Sequence, residues 1–196
     1  GDLYSLNGGN LYLIDKSAAD FTLNNGIWYV QKNQIKHFDF STQKSDVVSS
    51  ITIPQAAHTQ IIRTDSQVYL ILDQALYVAN DTLEKIYPQV GYAKFDQASR
   101  QLLFANDNEI YLYNPATKNS SLILRTLMPI KNAMLNTLTG YVFFQNEGKI
   151  KAAELDGRDH RNIFTIADAL DNFTISKDGK KLYAVGQNQI QEYTVR

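Results

Sequence analysis

One pattern recurs along the chain about every forty residues, and it limits the fold more than any other feature. WYVQKNQIKHFDF, YLILDQALYVAN, LLFANDNEIYLYN, YVFFQNEGKIKAAEL and YAVGQNQIQEYTV share one layout. Each is an apolar, aromatic-rich run, a short Asn/Asp/Gln/Gly turn, and a second run entered by an aliphatic residue. The entry residues are Ile35, Leu76, Ile110, Ile150 and Ile190, at spacings of 41, 34, 40 and 40. Two apolar runs joined by such a turn make a β-hairpin. One hairpin-bearing unit per period predicts an all-β chain built as a β-propeller.

The units run over about 19–53, 58–88, 91–127, 131–167 and 171–195. In the first, the strands read ADFTL, IWYVQ, QIKHFDF and DVVSSITI. Runs such as VYLIL and LLFA are continuously apolar, as expected of strands covered on both faces. The fifth unit supplies three strands: NFTIS, KLYAVG and QIQEYTV. Near the N-terminus, residues 2–6 and 10–15 form a further hairpin around Asn7-Gly8-Gly9, with Leu11 only 24 residues before Ile35. That interval is too short for another unit. Residues 10–15 are therefore expected to complete the last blade, closing five four-stranded blades into one domain over 1–196 without open edges. The alternative is part of a six- or seven-bladed propeller. The chain also begins in the middle of the pattern, as a domain excised from a longer protein would. Two segments carry helical spacing, LILRTLMPIKNAML and NIFTIADAL. Pro129 interrupts the first, and the second has room for one helical turn.

Composition narrows the function classes. Hydrophobic residues make up 44% and charged residues 20%, the balance of a chain with a packed core. Net charge is −1, from 19 basic and 20 acidic residues with no block of either sign. Nucleic-acid binding needs a cationic stripe, and none is present. There is no cysteine, so disulfides and thiolate metal sites are excluded. No apolar run approaches the ~20 residues of a membrane-spanning helix, so membrane insertion by this segment is not expected.

Aligning the innermost strands on Leu23, Ile62, Phe95, Leu135 and Ile175 puts Asp20, Thr59, Tyr92, Asn132 and Asn172 at one equivalent position. These five hydrogen-bonding groups are the candidate ligand-binding ring at the channel mouth. The simpler explanation is that polar residues open strands because Asn, Asp and Thr cap turns. Glycoside cleavage needs two converging carboxylates, yet only Asp20 of this ring is acidic. Asp96 and Glu109 fall at a strand end and in a turn. His37, His58 and His160 lack metal-ligand spacing. Trp28 lies in a continuous apolar strand and is expected to be buried between blades. Asp156-Gly157 and Asp178-Gly179 are turn dipeptides, without the alternating acids of a calcium loop. Neither catalytic residues, metal nor cofactor is expected. The triplets at Asn80, Asn119 and Asn172 match the glycosylation pattern at the frequency that chance gives.

Two units resemble known propeller repeats. SKDGKKLYAV, from Ser176 to Val185, is similar to the Ser-Pro-Asp-Gly-Lys-Lys run of TolB-type bacterial propellers, with Lys177 in the place of Pro. LTGYVFFQNEGKIKAAELDGRDHRNI resembles a YWTD-class repeat at Leu138, Thr139, Gly140, Ile150, Leu155, Asp156, Gly157 and Arg161. Phe143, Phe144, Gln145 and Asn146 stand where the signature residues would be. The resemblance covers about 70 residues well. It implies the fold and, by analogy with those families, a non-catalytic module for protein–protein interaction in a bacterial envelope or other extracytoplasmic protein. A carbohydrate-binding propeller or a diverged glycosidase is the second expectation. Against five identical sugar sites stands the variety of the hairpin turns (QKNQ, LDQA, ANDNE, QNEGK, GQNQ).

Overall fold

The computed structural model describes residues 1–7, 10–158, 160–168, 171–176, 178–186 and 189–195. Among them all regular structure is β-strand and there is no helix. The chain divides into two compact units, Gly1–Val90 and Gly91–Arg196.

The first unit opens with a hairpin of β1 (Leu3–Asn7) and β2 (Asn10–Asp15), whose predicted turn includes Gly8 and Gly9, outside the described residues. Two four-stranded sheets follow. The first holds β3 (Asp20–Leu23), β4 (Ile27–Gln31), β5 (Gln34–Asp39) and β6 (Lys44–Val47). The second holds β7 (Thr59–Arg63), β8 (Val68–Leu72), β9 (Ala75–Ala79) and β10 (Leu83–Tyr87). The second unit has two more four-stranded sheets. They are β11 (Tyr92–Asp96) to β14 (Asn119–Arg125), by way of β12 (Gln101–Ala105) and β13 (Glu109–Asn114), and β15 (Ile130–Asn136) to β18 (Ile163–Ala167), by way of β16 (Tyr141–Asn146) and β17 (Lys149–Glu154). Its last sheet has three strands among the described residues: β19 (Asn172–Ile175), β20 (Lys181–Gly186) and β21 (Gln189–Thr194). Within every sheet the strands lie side by side in sequence order and pair antiparallel, the meander of a propeller blade.

The recurring turn explains its own composition. At Lys32-Asn33, Asp73-Gln74 and Glu147-Gly148, both central residues have positive φ, between 46° and 74°. Two-residue hairpins need that conformation to match strand twist, and Asn, Asp and Gly tolerate it. The fifth copy, at Gln187 and Asn188, lies outside the described residues. The aliphatic entry residue then faces the following sheet. Val30 and Ile35 pack with Ile61, Val68 and Leu70; Ala105 and Ile110 with Ala133, Val142 and Phe144; Ile150 with Phe173, Leu182 and Ala184. In β16 the side chains alternate between neighbours, Val142 and Phe144 towards one sheet and Phe143 towards the other. All of β8 is buried, which explains why VYLIL has no polar position.

Two expectations are corrected. The outer strand of the first sheet is Lys44–Val47, not DVVSSITI. Asp39 accepts hydrogen bonds from the Ser41 and Thr42 N–H groups (2.6 and 3.2 Å), so the chain reverses within 40–43 and Lys44 pairs with Asp39. Residues 48–58 then leave the sheet as a link, with Ile53 buried. Residues 10–15 pair with β1. The short connection makes that local pairing entropically cheap. NIFTIADAL is strand over Ile163–Ala167; Ala169 and Leu170, within the expected helical turn, lie outside the described residues. Pro129 does separate two elements, β14 and β15, but both are strands.

The hairpin is fastened to the first sheet by a polar clasp. The Asp15 carboxylate accepts from Tyr29 Oη (3.1 Å), Gln31 Nε2 (2.5 Å) and Lys36 Nζ (2.8 Å). Gln31 also donates to the Lys16 carbonyl, and Lys36 to Gln31 Oε1. Beneath it Leu3 and Ala18 pack with Ile27, Tyr29 and Phe38, and Ile14 lies against them.

Candidate functional site

The five residues proposed for the channel mouth occupy the first turns of the innermost strands. Asp20, Tyr92, Asn132 and Asn172 share one register. Each pairs with the residue (Val30, Ala105, Gln145 or Val185) that itself pairs with the aliphatic entry residue. Thr59 does not share it. It pairs with Leu72, whereas Gln60 pairs with Ile71, the partner of Leu76. Alignment on Ile62 thus slips by one, and in a strand a one-residue slip changes the face.

Within each unit these side chains fasten neighbouring inner strands. Asp20 Oδ2 accepts the Ile61 N–H at 2.8 Å. Asn132 Nδ2 donates to Asn172 Oδ1 at 2.8 Å and to the Phe173 carbonyl at 3.3 Å, while Asn172 Oδ1 also accepts the Phe173 N–H. Ile61 and Phe173 hold the same place, one residue beyond Gln60 and Asn172. The same position is thus reached in both units, through its N–H at Ile61 and through its carbonyl at Phe173. Tyr92 packs against the core of Leu103, Ala105 and Ala133, and burial pushes its phenol up to about 12. Asn132 and Asn172 are the two members of the five that hydrogen-bond directly to each other.

The acids weighed as catalytic groups, Asp96 and Glu109, and those of the turn dipeptides, Asp156 and Asp178, are occupied by local partners. Asp96 accepts from Ser99 N and Oγ. Hydrogen bonds from Asn106, Arg125 and Tyr111 hold Glu109 below the usual carboxylate range. Arg158 brings Asp156 down to about 2, and Ser176 and the Lys180 N–H lower Asp178. A general acid needs a raised pKa, and Glu109 is shifted the other way. His37 Nε2 lies 2.9 Å from the Asn25 carbonyl and its ring packs 4.6 Å from Trp28. Among the described residues no group of three His, Asp or Glu side chains is placed to hold a metal ion.

The residues matching the YWTD-class pattern serve architecture. Arg161 donates to the Ile123 and Leu155 carbonyls and lies against Gly157, where a Cβ would come within 3.1 Å of its guanidinium. In the TolB-like stretch, Ser176 Oγ donates to Asp178 and accepts the Lys181 N–H; Lys177 lies outside the described residues. Sequence reasoning missed two cavities in the first unit. One, about 450 Å³, lies between the N-terminal hairpin and Phe38, Phe40 and Gln43. The other, about 280 Å³, lies between the first and second sheets beside Trp28 and Arg63. Trp28 is half-buried there, with the Arg63 guanidinium 4.4 Å from its ring centroid.

No protein-family model and no curated protein matches the sequence. Solved structures do. A chain of the nidogen/laminin complex aligns over 97% of this chain and 84% of its own length, with TM-score 0.62 and 9% identity. The extracellular domain of the putative one component system BT4673 from B. thetaiotaomicron aligns over 99% of this chain, with TM-score 0.71 and 11% identity. Hydrazine synthase from Kuenenia stuttgartiensis aligns over 85%, with TM-score 0.62 and 10% identity. This chain spans 29% of the BT4673 domain and 55% of the hydrazine synthase chain. Two of these structures are an extracellular domain and a protein–protein complex, and the third is an enzyme. What they share with this chain is the fold.

Proposed function

We propose that the chain is a non-catalytic binding module, acting in protein–protein interaction as part of an extracytoplasmic bacterial protein. The observation that carries this reading is the occupation of its acids. Of the carboxylates weighed for catalysis, Asp96 caps a turn and Glu109 pairs with Arg125, and the polar residues that open the inner strands, Asp20 among them, tie sheets together. Such a chain is a rigid display frame whose loops are free to vary, the usual arrangement of binding scaffolds. The similarity to an extracellular domain and to a chain of the nidogen/laminin complex supports the same reading. The fold is further proposed to be one closed propeller over 1–196. The binding face assigned to it is the end where the inner strands begin, bearing Asp20, Thr59, Tyr92, Asn132 and Asn172.

The test is a thermal-stability screen of the intact chain against fractionated envelope proteins, calcium and chromogenic nitrophenyl glycosides. Ligands selective for the folded state raise the melting point by mass action. A saturable rise with a protein fraction and no release of nitrophenol is the expected result. Turnover of any glycoside would overturn the non-catalytic assignment.

A further inference from the structure

The cavity between the first two sheets rests on two departures from the repeat. The first is a link. Outer strands are joined to the next inner strand by four residues at 88–91, 126–129 and 168–171, but by eleven at 48–58. Within that longer link Ile53 is buried and donates its N–H to the Asn33 carbonyl, so the segment is anchored. Its start, Val48 to Ser50, forms one wall of the cavity.

The second departure is Arg63. Its guanidinium lies 4.4 Å from the centroid of Trp28 and has one hydrogen bond among the described residues, from Nη2 to the Asp65 carbonyl at 3.3 Å. Burial draws its pKa down from the ordinary arginine value, with the Asp65 carboxylate partly opposing. A guanidinium carries five donors in a planar fork suited to a carboxylate. Here it is half-buried, oriented by an aromatic face, and left with most of those donors unused at a cavity wall. Around it stand Ser49, Ser50, Asn80 and Asp81. The Ser49 hydroxyl oxygen accepts the Ile51 N–H, which leaves its own proton to donate.

We infer that this cavity binds a sugar acid of the uronic-acid class: a single hydroxylated ring bearing one carboxylate. The carboxylate pairs with Arg63. Asp81, which can only accept, requires hydroxyl donors from the ligand and repels a doubly charged anion such as phosphate. The serines and Asn80 complete a lining suited to hydroxyl groups. At about 280 Å³ the space lies at the foot of the range for small-molecule sites and takes one ring. This inference is independent of the protein-partner reading, since it concerns one cavity and not the propeller mouth.

Trp28 is the single tryptophan of the chain, so its emission reports on this cavity alone. Titrating the intact chain with sodium glucuronate should give a saturable change in that emission, with glucose, acetate and inorganic phosphate each at least ~10-fold weaker. Arg63→Gln should weaken glucuronate at least ~10-fold, and Asp81→Asn, an exposed change that leaves the fold intact, by several-fold. Calorimetric titration repeats the measurement without relying on the indole. The inference fails if glucuronate produces neither signal up to ~20 mM, if glucose, acetate or phosphate binds as well, or if Asp81→Asn and a folded Arg63→Gln both bind like the parent.

Discussion

Replacing Asp15 by Ala removes the acceptor on which the N-terminal hairpin is clasped. Asp15 and Lys36 keep 19% and 20% of their side-chain surface exposed, so their pair is only partly screened. A charge-assisted hydrogen bond contributes ~1.5–3 kcal/mol when buried, and partial exposure puts this one near the lower end. Gln31 keeps its bond to the Lys16 carbonyl, so little is lost there. The Tyr29 hydroxyl loses an acceptor inside the hairpin interface. The sum is about 2–3 kcal/mol. With a urea m-value of ~2 kcal/mol/M, the unfolding midpoint falls by roughly 1 M. Trp28, in the sheet that receives the hairpin, reports that transition by fluorescence. Asp15→Asn keeps an acceptor but loses the charge, and should cost about half as much. The pH dependence has a fixed sign. Burial raises the Asp15 pKa, but bonds from Lys36, Lys16 and Tyr29 outweigh it and leave the pKa lowered. Its contribution is therefore complete above the unfolded value of about 4 and is lost as pH falls through the lower folded value. The acid limb should flatten in Asp15→Asn. A midpoint change below ~0.2 M for Asp15→Ala would mean the clasp contributes nothing, and the reasoning would be wrong.

Three further outcomes follow from the geometry. At Gly26, φ is +124° and a Cβ would lie 2.6 Å from the Phe38 carbonyl, so Gly26→Ala should cost about 2–4 kcal/mol by urea denaturation, against about 1 for Gly148→Ala, where φ is +71° and the space is open. Asn136 is buried and donates to the Gly179 carbonyl at 2.8 Å; Asn136→Ala should cost about 2–3 kcal/mol and speed amide exchange in 176–181. Asn132→Ala and Asn172→Ala should each cost about 1 kcal/mol, with the double variant less than additive because they share one hydrogen bond.

The hairpins were legible because the features that make them are local. A two-residue turn with positive φ selects Asn, Asp, Gln or Gly, and a strand covered on both faces has no polar position to interrupt it. The outer strand Lys44–Val47 was not legible. All four residues are exposed, so it carries no apolar signal, and only the Asp39 turn betrays it. The apolar DVVSSITI beside it drew the assignment two residues downstream. The cavity wall at Val48 to Ser50 lies within that apolar run, whose pattern is that of a strand. Alignment on one aliphatic residue of each inner strand finds the shared mouth register in four sheets and misses it by one at Thr59. The Arg63–Trp28 contact joins residues 35 positions apart on different sheets, and neither type is unusual in a strand. Its one sequence trace is the length of the link that passes beside it.

The residue on which each second hairpin strand begins also tests the closed-ring reading. Ile35, Leu76, Ile110 and Ile150 are each at most 1% exposed, and the first, third and fourth pack on the following sheet. Ile190 occupies the same register beside Val185, yet it is 74% exposed and Val185 41%. A closed propeller requires another sheet over this pair, because the repeat places it on the face that meets a neighbour. Ile190→Lys separates the two conditions. If the pair is covered, the substitution removes ~1.5–3 kcal/mol of burial and also leaves an unpaired cation between sheets. The total loss is then at least about 3 kcal/mol, close to that of Ile110→Lys. If the face meets only water, the change lies within ~0.5 kcal/mol. Urea unfolding of the two variants side by side decides it, and a neutral Ile190→Lys would remove the closed five-bladed ring from consideration.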